Sequence, residues 1–440
     1  MTSSPVPQRA VIVVPTTSEF DSRTYRIATS LAARGHQVTV LARSDPGLPH
    51  VERRPEGYAV VRVRVSAVDG LPLPGVARAW LGRRLARRSG RAGQAPESAS
   101  QPSGDPVGRL RRAVRATWRI AAIALTVRAQ SRASRAVDPG ADLYHGMAYM
   151  GIPIALDLAR RRGARVVYDA RDIYVDANNL ARLPSVARAV LRRIERGWAR
   201  RADRVITVNR PYAEVMASRW NVPEPAIIMN CAYRFEPPVS REHRFHDRLG
   251  LPSDVRVVLY QGGFAPSRGI EQLLDAIPLV PQAVLVLMGY GPLADRLAAR
   301  AREPDLTGRA FVLPAVPPAE LIGYVAAADV VAMPIQPSTL NHRLTTPNKL
   351  FEALAAGVPV VAAELPGMAG IVRETGCGLL VDPGDSDAIA TAIRRILDLP
   401  TEQRDALRQR ELQAAHERYS WEVQAEILLA EYGRLTGRPW

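Results

Sequence analysis

Along this chain, short apolar runs rich in Val and Ile alternate with longer stretches in which apolar residues recur every three or four positions. Ala10–Val14 is the first run. It leads through the polar loop Pro15–Asp21 into a helical period carried by Tyr25, Ile27, Ala28 and Leu31 as far as Ala33. Gly35 stops that helix and Val38–Leu41 reads as the next strand, completing a β-α-β unit; Val60–Val65 adds a strand by alternating Val with Arg. The alternation resumes beyond residue 137. Strands are expected ending at Asp142–His145 and at Arg165–Tyr168, Arg204–Val208 and Ala226–Met229, with helices at Ile152–Arg162, Val186–Arg200 and Pro211–Arg219.

Ala232–Asp254 is charged, proline-bearing and weakly periodic, which marks a linker. A second series follows. Its strands are Val255–Tyr260, Ala283–Met288, Ala310–Leu313, Val330–Pro334, Val358–Ala363 and Gly378–Val381, with helices between them, and two helices, Glu402–His416 and Trp421–Leu435, close the chain. The pattern predicts an α/β fold of two doubly wound Rossmann-like domains in series, over 1–231 and 255–416, with 417–440 as a closing helix. Ligands of such sheets sit beyond the carboxyl ends of the strands, so a central cleft faced by both domains is the expected location of a site.

Charge changes the picture in one place. The net charge is +16, and Val76–Val137 contributes fourteen Arg against only Glu97 and Asp105. This basic insert, about 71–137, interrupts the strand-helix rhythm. Gly90–Gly108 within it is a Gly/Pro/Ser/Gln-rich stretch that reads as a disordered loop. Its basic residues lack the interleaved aromatics of a nucleic-acid surface, so a nucleic-acid partner is not expected. An anionic membrane surface, an anionic acceptor and a solvated loop with no binding role remain the alternatives. Met1–Arg9 is polar, unlike a signal peptide, and no uninterrupted apolar stretch approaches the roughly 20 residues of a membrane span. Cys231 and Cys377 are far apart, which argues against a disulfide scaffold. The expectation is a cytoplasmic protein, with peripheral contact to the inner face of the cell membrane through the insert.

Lys349 is the only lysine among 59 basic residues. A compact ammonium kept amid so much Arg points to a task the broad guanidinium does badly. It lies in Thr345–Val361, where Thr346 suits an N-cap, Pro347 a first helical position and Gly357 a helix end. Lys349 then falls in the first turn, where backbone amides and the helix dipole attract an anion, and Glu352 shares its face. An ammonium at a helix start can hold a diphosphate; a carboxylate one turn further on can accept two ribose hydroxyls. A Lys–Glu pair on a solvated helix is the alternative. Tyr260–Gly269 is a second phosphate element, with Gly262 and Gly263 after a strand and Arg268 as a bidentate cation. Gly289 and Gly291 mark either a ligand loop or a tight turn.

These residues carry a resemblance. Val257–Asp385 resembles the donor domain of the GT-B retaining glycosyltransferases, family 4, through its Gly262-Gly263…Arg268-Gly269 loop, Gly289–Pro292, Ala326–Val331, Pro347–Glu352 and Ala356–Val361, in the family's order and spacing. The first half is similar more loosely, through Asp21–Arg23, Arg34–Val38, His145 and Tyr168–Asp172. The resemblance implies a GT-B fold and transfer of a sugar from a nucleotide-diphosphate sugar to an acceptor hydroxyl with retention at the anomeric carbon. The setting it suggests is cell-envelope glycan or glycolipid synthesis, or natural-product glycosylation. It places Gly262, Gly263, Arg268, Gly289, Pro347, Asn348, Lys349, Leu350 and Glu352 around the donor. His145, Arg268 and Lys349 take catalytic roles, and Asp21, Arg23 and Asp172 lie on the acceptor side. His145 also reads as a buried structural histidine, Asp21 as a helix cap and Asp172 as a cap of the following helix. The sequence departs from the family at Leu344, where many members carry Glu, and at Gly263, where many carry Arg; Asn341, His342 and Thr346 are the candidate substitutes. No cofactor and no metal are expected, since no His/Cys cluster of metal-ligand spacing is present. An epimerase or phosphorylase on the same fold is the rival enzyme reading, and a basic binding protein without catalysis the non-enzymatic one. The acceptor, whether glycan, lipid-linked sugar or small molecule, is left open.

Overall fold

The computed structural model describes residues 7–19, 21–66, 106–238 and 242–440; the side chains of 106–117 and 178–179 fall outside that description. The chain divides into two compact units. The first comprises residues up to Thr207, Ala213–Ile227 and Leu428–Trp440, and the second Val208–Tyr212 and Ile228–Ile427.

In the first unit the strands are β1 (Arg9–Val13), β2 (Gln37–Arg43), β3 (Val51–Arg53), β4 (Ala59–Val63), β5 (Leu143–Met147), β6 (Arg165–Asp169), β7 (Arg204–Thr207) and β8 (Ala226–Ile227). They form one sheet in the order β3-β4-β2-β1-β5-β6-β7-β8. All pairs are parallel except β3–β4. The central strands are buried on both faces, as parallel sheets covered by helices require, so their sequences are continuous apolar runs rather than alternating ones. The antiparallel edge strand β3 escaped the sequence reading because Val51-Glu-Arg53 carries too little apolar signal. β5 extends past His145 to Met147, and the next helix starts at once, at Ala148, rather than at Ile152. Two glycines permit this: a Cβ on Gly146 would lie 2.7 Å from Ile152 Cα, and one on Gly151 would lie 2.6 Å from the Val13 carbonyl oxygen.

Most of the basic insert lies outside the described residues, including Gly90–Asp105 of the expected loop. Pro106, Val107 and Gly108, assigned to that loop from composition, instead open a 32-residue helix, Pro106–Val137. Proline suits a first helical position.

The second unit holds β9 (Arg256–Gly263), β10 (Ala283–Tyr290), β11 (Ala310–Pro314), β12 (Val330–Met333), β13 (Val360–Ala363) and β14 (Gly378–Val381), all parallel, in the order β11-β10-β9-β12-β13-β14. Each face of this sheet buries its own core. Val257 and Leu259 of β9 point to one, with Leu350, Phe351 and Leu354; Val258 and Tyr260 point to the other, with Leu273, Leu274 and Ile393. Strand order reverses between β9 and β12. Loops leaving those two strands diverge there and open a crevice at their carboxyl ends. The linker region also contains a short helix, Arg244–Leu249, with Phe245 fully buried.

Candidate functional site

The two segments singled out from the sequence meet at that reversal. β9 ends in Gln261-Gly262-Gly263, and the chain leaving β12 reaches the helix Asn348–Ala356. Gly262 has φ +121°, a conformation that favours glycine, and a Cβ there would lie 3.7 Å from Lys349 Nζ. The Lys349 ammonium sits 3.6 Å from the centroid of the Tyr260 ring, a cation–π arrangement. Lys349 is buried, and that burial, with the Arg268 charge, pushes its ammonium down to about 7; Glu352 opposes the shift. Glu352 accepts a hydrogen bond from Gln261 Nε2 at 3.3 Å, which ties the loop after β9 to the helix face carrying the lysine.

The helix itself begins one residue later than expected. Pro347 occupies the N-cap position with no side-chain cap, and the first turn contains no acid. The positive end of its dipole therefore meets neither a capping side chain nor an acid of its own first turn. Thr346 does not cap this helix. Its hydroxyl donates to the Gly367 carbonyl (2.7 Å) and accepts from Asn209 Nδ2 (3.0 Å). Asn348 is exposed, and its Oδ1 accepts from Asn230 Nδ2. Leu350 belongs to the core, fully buried beside Phe351, so its side chain faces away from any ligand.

Gly269 (φ +77°) lets the end of the glycine loop press against β12, where a Cβ would lie 2.0 Å from the Pro334 carbonyl oxygen. Arg268 is half-buried beside this contact. A Cβ on Gly289 would lie 1.9 Å from the Gly262 carbonyl oxygen, so Gly289 is required by loop packing. Next to it Tyr290, 64% exposed, pairs in register with Gly263. The sequence reading passed over Tyr290, although its place between Gly289 and Gly291 was a usable signal.

Of the three candidates to replace a carboxylate at Leu344, two are committed elsewhere. Asn341 accepts the Tyr212 hydroxyl on its Oδ1 (2.8 Å) and Thr346 is bonded as above. His342 is half-buried, bonded to Ser338 Oγ at 2.8 Å, and lowered in pKa by burial and by the Arg268 charge. It is the candidate whose environment includes Arg268. Asn209 and Tyr212, which fix this segment, carry no motif that sequence reasoning could have used. A cavity of about 500 Å³ lined by Arg256, Asp329, Arg404 and Arg408 lies at the opposite, amino-terminal edge of the same sheet, where ligands of doubly wound sheets are not found.

The first unit shows a different arrangement at its own reversal, between β1 and β5. His145 has no exposure. One ring nitrogen is hydrogen-bonded with the Tyr432 hydroxyl and the other with Asp169 Oδ2 at 3.1 Å. Asp169 in turn accepts from Arg23 Nε at 2.6 Å, with both side chains fully buried. This ion pair and the His145 bond hold the Asp169 carboxyl well below the usual range despite its burial. The catalytic role expected of His145 thus finds no support: the imidazole is locked on both sides inside the unit. Arg23, an acceptor-side candidate, is likewise spent on Asp169. Asp21 caps the helix Ser22–Ala33 through the Thr24 amide (3.1 Å) and pairs with Arg171 (2.7 Å). Asp172 is half-buried in the turn after β6, and the following Tyr174–Asp176 turn has no side-chain cap. Among the described residues no cluster of His, Cys, Asp or Glu could hold a metal ion.

Two doubly wound units, the second with a cationic loop-and-helix site at its reversal, are the plan of the GT-B fold. The chain is similar over 98% of its length, and 99% of the other's, to the sucrose-phosphate synthase structure from Thermosynechococcus elongatus, at 21% identity and a TM-score of 0.71. Residues 21–232 match the "Glycosyl transferase 4-like domain" model and residues 242–413 the "Glycosyl transferases group 1" model. The chain belongs to the group 1 glycosyltransferases. Its relatives include a GDP-mannose-dependent alpha-(1-6)-phosphatidylinositol monomannoside mannosyltransferase of Mycolicibacterium smegmatis, 32% identical over 262 residues, covering 56% of this chain and 65% of that protein. A D-inositol 3-phosphate glycosyltransferase of Xylanimonas cellulosilytica is 32% identical over 213 residues, covering 46% and 49%. The matches thus span about half to two thirds of the lengths of those relatives.

Proposed function

We propose that this chain transfers a sugar from a nucleotide-diphosphate sugar to an acceptor hydroxyl, with the donor held at the reversal of the second sheet. The observation carrying this reading is the convergence of Lys349, Arg268, the uncapped helix start and the Gly262–Gly263 backbone on one spot, with Glu352 one turn further along. When the bond from the anomeric carbon to the diphosphate breaks, negative charge grows on the leaving oxygens. Fixed cations and amides aimed at those oxygens stabilise that charge more than they stabilise the bound donor. Lys349 and Arg268 meet the diphosphate, Glu352 accepts the ribose hydroxyls, and the exposed Tyr290 ring offers a stacking face for the base. The new bond forms on the face the diphosphate leaves, and the acceptor's proton passes to the departing phosphate oxygen. His145 is a strut of the first unit in this scheme. The basic segment Val76–Val137 serves contact with an anionic lipid surface.

The donor nucleotide is identified by thermal shift against UDP-, GDP-, ADP- and dTDP-sugars, because a ligand that binds only the folded chain raises its melting temperature. GDP-mannose is a natural first choice, given the name of one relative. Transfer is then followed with the donor so found, and the anomeric configuration of the product is read by NMR. An inverted product, or transfer undiminished in a Lys349→Met, Glu352→Gln double variant, overturns the scheme.

A further inference from the structure

The helix Ser185–Ala199 wears its apolar residues on both sides. Leu191, Glu195 and Ala199 are buried against the first unit, and Arg188 and Arg192 turn toward Asp176, which also accepts from Arg219. On the outer side Val186 is 75% exposed, Val190 45% and Ile194 37%. These positions are spaced by four, so they form one stripe along the helix. Arg193 and Arg196 flank the stripe and are exposed, and the helix's one acid, Glu195, is buried away from it. The helix Pro106–Val137 packs alongside. It carries eight Arg and no acid, and its Trp118 is 71% exposed with Arg119 exposed beside it. No described helix is long and apolar enough to cross a membrane. An exposed apolar stripe edged by arginine, with no exposed carboxylate on either helix, matches the interfacial plane of an anionic bilayer, where side chains of three kinds of need are met together: apolar ones in the acyl boundary, the indole at the headgroups and guanidinium on phosphate. A protein partner of ordinary surface would leave the arginines without counter-charge.

We propose that the outer face of the Ser185–Ala199 helix, with the adjoining Trp118–Arg119 of Pro106–Val137, docks on an anionic lipid surface, Val186, Val190 and Ile194 entering the headgroup–acyl boundary. The Ser185–Ala199 helix starts on the carboxyl-end side of the first sheet, since it follows β6, so docking brings that edge of the first unit to the bilayer and suits a lipid-carried acceptor. The inference deepens the membrane part of the reading above and rests on it, while the donor chemistry is independent of it.

The test is flotation of the full chain with vesicles of phosphatidylcholine containing phosphatidylglycerol, and with phosphatidylcholine alone. Wild type binds the anionic vesicles, releases them as salt is raised, and ignores the neutral ones. The variant Val186→Ser, Val190→Ser, Ile194→Ser partitions at least about tenfold less, and Arg193→Gln, Arg196→Gln also falls about tenfold at low salt. Both keep the wild-type thermal shift with the nucleotide sugar, which shows that they fold. Absence of wild-type binding, or unchanged binding in both variants, overturns the proposal. So does a lipid-free dimer that the triple serine variant converts to monomer without any vesicle binding, which would assign the stripe to a second copy. Failure of sugar transfer with intact vesicle binding would instead count against the enzymatic reading alone.

Discussion

Lys349 gives the donor site a pH dependence that can be worked out in advance. Its ammonium is pushed down to about 7 by burial and by Arg268, whereas a diphosphate beside it favours the charged form. The empty site holds the proton weakly and the occupied site holds it firmly, so binding above neutrality takes up a proton. Affinity is greatest at low pH and falls as pH rises through 7. Between about pH 6.5 and about pH 8.5 the charged fraction in the empty site drops from roughly three quarters to roughly 3%, a Kd rise of about 25-fold. The assay is calorimetric titration with the nucleotide-diphosphate sugar in buffers of different ionisation enthalpy, which counts the proton directly. A nucleotide sugar is preferable to a free nucleoside diphosphate because it has no terminal phosphate of its own titrating near neutrality. Lys349→Met should weaken binding about 100-fold at the acid end and remove the slope. A Kd independent of pH in wild type, with no proton uptake, would refute the argument, as would an unchanged slope in the variant.

Three further outcomes follow from the geometry. Glu352→Gln should raise the donor KM by about 10–100-fold and leave the melting temperature unchanged, because the amide keeps a partner for Gln261. Gly269→Ala should lose about 3 kcal/mol or more of stability in denaturant titration, since its Cβ would fall 2.0 Å from the Pro334 carbonyl oxygen; Gly263→Ala, with nothing within 4 Å, should be tolerated by the fold and felt only in donor affinity. The Glu195 carboxyl, raised to about 7 from 4.5 chiefly by burial, keeps its proton where the unfolded chain releases it. Stability should therefore fall by about 1.4 kcal/mol per pH unit as pH rises from 4.5 toward 7, and Glu195→Gln should flatten that limb of the unfolding curve.

The parts of this molecule that were legible in its sequence are those where local chemistry and final position coincide. Parallel strands buried on both faces write themselves as Val-rich runs, and Gly262, Arg268, Lys349 and Glu352 are residue types whose chemistry is visible before folding. The helix start was misplaced by one residue because Thr346 is a good cap in isolation, and only the fold supplies the Gly367 carbonyl that takes its hydroxyl. Ala148–Gly151 could not be assigned to a helix because Pro153 argues against one running through it and the close approach allowed by Gly146 and Gly151 is a tertiary fact. His145 was legible only as two alternatives. A histidine after a strand reads the same whether it faces solvent or core, and what decides the matter is Tyr432, 287 residues further along. The Val186–Ile194 stripe lies within the helix expected at Val186–Arg200; periodicity reveals that a helix has an apolar side and says nothing of what lies against it.

The solitary lysine has a consequence for chemistry at the bench. An acylating reagent at neutral pH finds, apart from the chain terminus, one primary amine in 440 residues, and that amine is deprotonated far more readily than an ordinary lysine. A single tag could thus be written into the donor crevice, its attachment blocked when the crevice is full, so that occupancy becomes readable as a mass increment on one peptide.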